Sequence, residues 1–321
     1  MPGDTPVKIG FLLWPQTDSW PAIRDAALRA ERAGAASLWT WDHLLSIVGP
    51  WQGQILEGWS ILAGWAQVTE RTTLGLMVGA NTFRNPGLTA KLATTLDHLS
   101  GGRAVLGLGG AWFEREHTAF GIDFGASVGQ RLDWLAEAVP AIKTLFEGGE
   151  VTSPPGARNS FDHLRINPLP LQAHVPIMIG GEGEKKTLRI VAEHADMWNA
   201  FGAPETLAHK DAVLRAYCAD VGRDPAAIER TVGCKITIRS TQAEAERAYL
   251  DILERNRTRA DRMAGIEEVW TGRPERVAEI VIGYRRVGFD TFISEIAAPY
   301  DVETLETLID VVKPLVESVP V

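Results

Sequence analysis

Cysteine is scarce in this sequence, because the 321 residues include only Cys218 and Cys234. Two cysteines without a Cys-x-x-Cys spacing argue against a disulfide framework and against a zinc site built on thiolates. The sequence also contains no His-Glu-x-x-His motif or comparable cluster of ligand residues, so we expect no bound metal. Neither a small disulfide-stabilised protein nor a zinc enzyme is therefore expected.

Long apolar runs and excess positive charge are lacking as well. No segment approaches the ~20 apolar residues that a membrane-spanning helix needs, and the N-terminal residues do not resemble a signal peptide. A formal net charge of −9 argues against nucleic-acid or anionic-membrane partners. With 45% hydrophobic and 23% charged residues, the composition is that of an ordinary globular protein. We expect a cytoplasmic location and a small-molecule substrate.

Short apolar segments alternate with helical patterns along the whole chain. The apolar segments predict eight strands, at 7–13, 37–41, 72–78, 104–109, 175–179, 196–199, 231–238 and 289–293. Eight strands with intervening helices predict an α/β fold, the (β/α)8 TIM barrel, and non-alternating strands fit a parallel sheet covered by helices. A doubly wound sheet in two domains is the rival. No linker divides the chain, so we predict a single domain over 1–321, with a proline-rich insertion around 150–174.

One segment, 175–192, combines a short strand, a glycine-rich turn and a helix. Gly180, Gly181 and Gly183 surround Glu182, and glycines let the backbone approach a ligand closely. The first N–H groups of a helix are unpaired and favour anions, phosphate above all. The glutamates of this turn would oppose an anion, and the two lysines that follow would offset them. A phosphate site is one interpretation, and a turn without a ligand is the other.

The carboxyl ends of the predicted strands are the expected active face of such a barrel. Residues placed there are Asp42, His43, Met77, Val78, Gly109, Gly110, Gly180, Gly181 and Asn199, together with Trp14, Trp41, Trp112 and Trp198. Aromatic walls, glycines and a phosphate-ready helix end favour a flat ring system that carries a phosphate. The alternative is that the large aromatic side chains simply cover the barrel interior.

His43 is singled out because it ends a predicted strand. An imidazole that titrates near neutrality can donate or accept a proton, whereas a structural role is the alternative. Asp42 beside it would contact a ligand or cap a turn. Glu57, in the following loop, is a candidate second acid or base, with a solvated loop carboxylate as the alternative.

Residues 125–129 read Gly-Ala-Ser-Val-Gly and match the serine-hydrolase pattern letter for letter. That pattern works only on a sharp turn between a strand and a helix, and no convincing strand precedes it here. We therefore assign Ser127 to the turn before a helix rather than to catalysis.

Several longer motifs carry a family resemblance. They are Trp41-Asp42-His43-Leu44, Arg84-Asn85-Pro86-Gly87, Thr94-Thr95-Leu96-Asp97-His98-Leu99-Ser100-Gly101-Gly102-Arg103, Gly107-Leu108-Gly109-Gly110-Ala111-Trp112-Phe113-Glu114 and Ile179-Gly180-Gly181-Glu182-Gly183-Glu184. With these motifs, spread over most of its length, the chain resembles the bacterial luciferase-like monooxygenase superfamily, in its branch of coenzyme F420-dependent oxidoreductases. The motifs discriminate less well between the deazaflavin F420 and flavin mononucleotide (FMN).

The resemblance implies a barrel with the cofactor in its mouth and the cofactor phosphate at residues 180–183, with Asn199 nearby. The ring would lie against the third strand, where relatives often carry a non-proline cis peptide, and Met77–Val78 is the matching position. His43 matches the histidine that deazaflavin-dependent relatives place near the hydride-bearing carbon. A homodimer is also implied.

We therefore expect an F420-dependent oxidoreductase that transfers a hydride to or from a small organic substrate. Three alternatives stay open at this point. They are an FMN-dependent monooxygenase, a non-catalytic flavin- or deazaflavin-binding protein, and a phosphate-binding barrel isomerase or aldolase. The substrate itself is not indicated.

Overall fold

The computed structural model describes residues 6–257 and 269–320. Within them the strands are β1 (Lys8–Leu13), β2 (Ser37–Thr40), β3 (Thr73–Leu76), β4 (Gly79–Ala80), β5 (Ala104–Gly109), β6 (Ile177–Gly180), β7 (Met197–Ala200), β8 (Glu229–Ile238), β9 (Val269–Gly272) and β10 (Thr291–Ile296). The α-helices are α1 (Trp20–Ala33), α2 (Gly58–Val68), α3 (Pro86–Ser100), α4 (Glu114–Phe120), α5 (Val128–Phe146), α6 (Thr187–His194), α7 (Pro204–Asp220), α8 (Gln242–Arg255), α9 (Pro274–Arg285), α10 (Val302–Thr307) and α11 (Lys313–Glu317). A π-helical turn, Leu308–Val312, joins the last two.

The strands close into a barrel through parallel pairing. The order around the ring is β1, β2, β3, β5, β6, β7, β8 and β10, and β10 pairs in turn with β1. Strand β4 continues the line of β3 along β5, and β9 pairs with the end of β8 outside the ring. This is the predicted (β/α)8 TIM barrel, so the doubly wound alternative is wrong.

Two apolar layers lie on the two faces of the strands. Along β1, Phe11 packs into the layer between strands and helices, whereas Leu12 packs inside the barrel with Trp39 and Met178. Because both faces are buried, the strands read as continuous apolar runs rather than as alternating patterns. Each fully buried large side chain contributes about 1.5–3 kcal/mol relative to exposure.

All eight predicted strands are observed, with ends that differ by at most three residues from the predicted ones. The strand predicted at 72–78 ends at Leu76, and the chain then passes through a cis peptide between Met77 and Val78 before β4. That confirms the cis peptide that the resemblance implied. Helix α4 and strand β9 were not predicted. Helix α4 has only seven residues, which is too short for periodicity to identify it, and β9 lies outside the ring of eight strands.

The segment 150–174 contains no helix or strand, only an isolated bridge between Val151 and Leu164. It packs along α3, where the Asp97 carboxylate accepts a hydrogen bond from the backbone N–H of Leu171 at 2.7 Å. The predicted insertion is therefore confirmed as a loop that covers the outside of the barrel. In the described part of the chain, no helix has both the length and the apolar character that crossing a bilayer requires.

Candidate active site

A cavity of about 670 Å³ opens at the carboxyl ends of the strands. Its lining includes the predicted residues Asp42, His43, Met77, Val78, Gly109, Gly110, Gly180, Gly181, Gly183 and Asn199, together with Trp14, Trp41 and Trp112. The volume lies in the range of ligand-binding pockets. Residues that are far apart in the sequence thus meet on the face where barrel enzymes carry their active sites.

One wall of this cavity has almost no side chains. Val78 packs over Gly109 and Gly180, and a Cβ at either glycine would lie 2.8–2.9 Å from Val78 Cγ2. Gly181 has a φ of +120°, a conformation that residues with a side chain rarely adopt. We call this surface, formed by Val78, Gly109, Gly180, Gly181 and Gly183, the glycine wall. Gly109 and Gly180 make room for the Val78 side chain, so this wall presents a smooth apolar surface to a ligand.

Polar groups without protein partners lie at one end of the glycine wall. Within residues 6–257 and 269–320, no acceptor atom pairs with the backbone N–H groups of residues 182–187. The Thr187 side chain lines the cavity, and its hydroxyl has no hydrogen-bond partner within the same residues. Because these donors precede the axis of α6, the helix dipole adds to their preference for an anion.

The acidic side chains of this turn are held by other groups. Glu182, predicted to contact a cofactor, is absent from the cavity lining, and its carboxylate accepts from the Phe201 N–H at 2.7 Å. Glu184 pairs with Lys210 at 2.6 Å, and that hydrogen bond lowers the Glu184 pKa. The two carboxylates that would oppose a phosphate are thus bound by Phe201 and Lys210, which lie between β7 and the end of α7.

Asp42 lines the cavity, but its carboxylate is fully engaged by the protein. It accepts two hydrogen bonds from the Arg84 guanidinium, at 2.8 and 3.0 Å, and one from the Ala80 N–H at 2.9 Å. Burial raises the Asp42 pKa, whereas Arg84 opposes that change. Asp42 therefore anchors β4, the strand that follows Val78.

Glu57 does not line the cavity. Its carboxylate caps α2 by accepting from the N–H groups of Trp59 and Ser60, and it contacts Arg84 at 3.1 Å. The structure thus brings Glu57 to Arg84, and neither residue is part of the cavity lining. A direct role in proton transfer is not supported by this position, which instead makes Glu57 a positioning residue for Arg84.

His43 pairs with a carboxylate that sequence reasoning missed. Its Nδ1 lies 2.9 Å from Glu116 Oε1, and Glu116 Oε2 accepts from the Leu44 N–H at 2.9 Å. An ionised Glu116 carboxylate only accepts, so Nδ1 is then the donor of this hydrogen bond, and in a neutral ring Nε2 presents a lone pair. No described residue hydrogen-bonds to Nε2. Glu116 lies on α4, which is too short to be recognised from periodicity.

Three of the four predicted tryptophans line the cavity. Trp14 and Trp41 pack with ring centroids 4.6 Å apart, and Trp112 packs edge-on against His43 at 5.5 Å. Trp198, predicted at the same face, is instead buried against Phe289 in the layer between strands and helices. The reason is strand alternation, because in β7 the neighbouring Asn199 faces the interior.

Asn199 bridges two strands at the cavity floor. Its side-chain amide donates to the Thr231 hydroxyl at 2.9 Å, while its carbonyl accepts from the Gly181 N–H at 3.1 Å. It thereby holds the glycine wall in register with β7 and β8.

Two further charged residues, Lys235 on β8 and Glu295 on β10, line the opposite wall. They are neighbours in the parallel ladder, and Glu295 Oε2 accepts from Trp14 Nε1 at 3.1 Å. The predicted eighth strand ended at residue 293, two residues before Glu295. The available signal was a charge inside an apolar run, at Lys235 within 231–238 and at Glu295 within β10.

The cavity residues fit a phosphorylated flat ring. The glycine wall offers a planar group a smooth surface, and the N–H groups of residues 182–187, which have no acceptor among the described residues, suit its phosphate. In the described residues no group of three or more His, Cys, Asp or Glu side chains is arranged to hold a metal ion.

Comparisons with known proteins agree with this geometry. The family model of the luciferase-like monooxygenases matches residues 5–291. A phthiodiolone/phenolphthiodiolone dimycocerosates ketoreductase of Mycobacterium sp. (strain JLS) is 30% identical over 72% of this chain and 67% of its own length. An uncharacterized protein of Mycobacterium tuberculosis (strain ATCC 25618 / H37Rv) is 30% identical over 53% of this chain, and the match spans only 58% of that relative.

Solved structures share the whole fold. An F420-dependent secondary alcohol dehydrogenase in complex with an F420-acetone adduct superposes with a TM-score of 0.82, covering 97% of this chain and 99% of that one at 20% identity. The monooxygenase RslO1 from Streptomyces bottropensis superposes with a TM-score of 0.80, covering 96% and 99% at 21% identity. At these identities the likeness concerns the fold alone.

Proposed function

Because the chain belongs to the luciferase-like monooxygenase family, we propose that it is a coenzyme F420-dependent oxidoreductase. Its reaction would be hydride transfer between the deazaflavin and the carbon of an alcohol or carbonyl substrate. The observation that carries the proposal is a single cavity lined by both the glycine wall and the His43–Glu116 pair, in which no described residue hydrogen-bonds to His43 Nε2.

The glycine wall would hold the cofactor. Val78, Gly109 and Gly180 supply the flat surface, and the N–H groups of residues 182–187 with the Thr187 hydroxyl suit the phosphate. When bound, the deazaflavin supplies the two-electron redox chemistry, and the protein supplies orientation and electrostatics.

His43 would handle the proton of the substrate oxygen. In alcohol oxidation, the Nε2 lone pair accepts the hydroxyl proton, and in carbonyl reduction the protonated ring returns it. The Glu116 carboxylate holds the ring in one tautomer and offsets the positive charge that develops on it. Glu116 is therefore a positioning residue, since it acts through His43. The names of two similar proteins, a ketoreductase and an alcohol dehydrogenase, support this choice of reaction.

Fluorescence titration of the full-length protein with F420 and, separately, with FMN tests the cofactor. We expect saturable F420 binding at least ~10-fold tighter than FMN binding, a difference of about 1.4 kcal/mol. Reduced F420 should then be oxidised when ketones are supplied, which its absorbance reports. Failure of both cofactors to bind would contradict the proposal and favour a barrel isomerase or aldolase.

The second candidate is an FMN-dependent monooxygenase, favoured by the family match and by the RslO1 structure. It predicts the reverse affinity order and oxygen consumption once FMN is reduced by a reductase partner. A non-catalytic cofactor-binding protein would instead bind F420 without turning over any ketone or alcohol.

The family resemblance also bears on the oligomeric state of the protein, its number of domains and its location in the cell. We propose a cytoplasmic homodimer whose protomer is one domain, on the basis of the family resemblance. Light scattering coupled to size-exclusion chromatography tests the dimer, for which a protomer mass near 35.0 kDa would be the contradicting result.

A further inference from the structure

A second, smaller cavity of about 180 Å³ lies beside the main one. Both are lined by Trp14, Val48, Lys235 and Glu295, so the two spaces meet at those side chains. We call the smaller space the side pocket. Its remaining walls come from β8, α8 and β10, away from the glycine wall.

The side pocket holds two opposite charges with unused hydrogen-bonding capacity. In the described part of the chain, the Lys235 ammonium has no hydrogen bond and no ion pair within 4.0 Å. Glu295 uses one oxygen for Trp14 Nε1 at 3.1 Å, and its Oε1 has no partner among the same residues. Both side chains are only partly buried, so their unused donors and acceptors can be reached from the cavity. A bound ligand group can pair with them.

The charge balance of the side pocket selects the kind of group. Asp301, the third charged residue of the lining, is paired with Arg239 at 3.1 Å. Of the other two, Lys235 only donates hydrogen bonds, whereas an ionised Glu295 only accepts them, and their charges are opposite. An anion would face the Glu295 carboxylate and a cation would face the Lys235 ammonium. A neutral hydroxyl or amide both accepts and donates, so it satisfies both residues at once. The surrounding side chains of Ile252, Ile296 and Ala297 are apolar and suit a hydrocarbon body.

The side pocket is also set apart from the reacting centre. Trp14, which lines the side pocket, packs on Trp41 with ring centroids 4.6 Å apart, and Trp41 packs on His43 at 6.3 Å. Tyr300 fixes Trp14 by donating a hydrogen bond from its hydroxyl to the Trp14 carbonyl at 2.9 Å. A ligand that reaches both places must therefore extend well beyond its reacting carbon.

We propose that the side pocket is a substrate-specificity site in which Lys235 and Glu295 together bind a neutral hydroxyl or amide group of the substrate, remote from the carbon that is oxidised or reduced. This proposal rests on the proposed function only where it calls the bound molecule a substrate. Binding by Lys235 and Glu295 can be measured with ligands that do not react, so its test does not require turnover.

Three small probes of similar shape, benzamide, benzoate and benzylammonium, distinguish the possibilities by ligand-observed NMR. The full-length protein is used with and without F420, which occupies the main cavity if the proposed function is right. We expect benzamide to bind wild type at least ~5-fold more tightly than either ion. Equal or tighter binding of benzoate, or no binding of any probe, would overturn the inference.

Paired variants give a result that a merely structural role would not produce. Lys235→Met leaves the Glu295 carboxylate alone, so the preferred probe should become benzylammonium. Glu295→Gln leaves the Lys235 ammonium alone, so the preferred probe should become benzoate. Lys8→Met, which changes an exposed lysine at the opposite end of the barrel, should keep the wild-type order. Unchanged preferences in both cavity variants would also overturn the inference.

The same samples separate the two proposals. F420 affinity should remain within ~2-fold of wild type in both cavity variants, because neither residue belongs to the glycine wall. If F420 does not bind at all while the charge-dependent switch is seen, the proposed function fails and the side pocket stands. If either variant does not fold, as judged by circular dichroism, the probe preference of the other variant alone tests the inference.

Discussion

The two walls of the cavity are built in opposite ways. The glycine wall presents backbone and the side chain of Val78, whereas the facing wall presents Lys235, Glu295 and Trp14. A backbone surface binds through N–H groups and shape, which depend little on side-chain identity. A charged surface binds through side chains that can change without altering the fold. The difference suits one wall to a cofactor and the other to a particular substrate.

The walls also differ in how they are supported. Behind the glycine wall, the buried Asp42 carboxylate joins Arg84 to the N–H of Ala80, and the Gly181 N–H bonds the Asn199 carbonyl. On the charged wall, Glu295 has one hydrogen bond from Trp14 and Lys235 has none among the described residues. Substitutions should therefore act through structure on the first wall and through ligand selection on the second.

The largest effect is expected at His43, which belongs to neither wall. His43→Ala should lower kcat by about two to four orders of magnitude, because general acid–base catalysis contributes about that much. F420 affinity should stay within ~2-fold, since the glycine wall is untouched. Steady-state kinetics and fluorescence titration measure the two quantities. His163→Ala, at an exposed side chain, is the control, and equal turnover in both variants would remove the catalytic role.

The next largest effect concerns the support of the glycine wall. Arg84→Met should lower the free energy of unfolding by about 3 kcal/mol, because it leaves the buried Asp42 carboxylate without its cation. Urea denaturation measures this change. Arg24→Met breaks only an exposed pair and should cost at most ~1 kcal/mol. Adding Asp42→Asn to Arg84→Met should recover part of the loss, and a further loss would contradict the assigned role.

A smaller effect tests the backbone contacts themselves. Gly181→Ala should weaken F420 binding by about 10-fold, because alanine disfavours the φ of +120° and the turn must shift. Gly222→Ala also places alanine at a positive φ, of +68°, but after α7 and with nothing within 4 Å of the new Cβ. Both variants should lose some stability, and only the first should lose affinity. Equal cofactor affinities would remove the phosphate site from this turn.

The smallest effect is a pH dependence that comes from the charged wall. Burial raises the Glu295 pKa above its ordinary value of 4.5, although Lys235 and the Trp14 N–H partly oppose this. The folded state therefore binds the proton more tightly than the unfolded state. The resulting stability is fully present below pH 4.5 and is lost as pH rises through the folded pKa.

Glu295→Gln should remove this component of the pH dependence. The free energy of unfolding of wild type should fall relative to that of the variant as pH rises from 4.5, by at most ~1.4 kcal/mol per pH unit. Urea denaturation across pH 4–8 measures the slope. Parallel curves for the two proteins would mean that Glu295 titrates normally.

The sequence by itself determined the barrel and much of the glycine wall. Strand and helix patterns depend on neighbouring residues, and the glycines of 180–183 specify a strand-to-helix turn wherever that segment lies. Ser127 illustrates the same point, since its hydroxyl caps α5 by accepting from the Gln130 N–H, as its position before a helix predicted.

Only the tertiary structure decided which side chains meet. Glu116 reaches His43 across 73 residues of sequence, and Lys235 meets Glu295 because β8 and β10 are adjacent and in that register. Strand alternation turned Trp198 outward, and a helix cap turned Glu57 towards Arg84. Closure and register of the ring set these contacts, and no local pattern of residues encodes them.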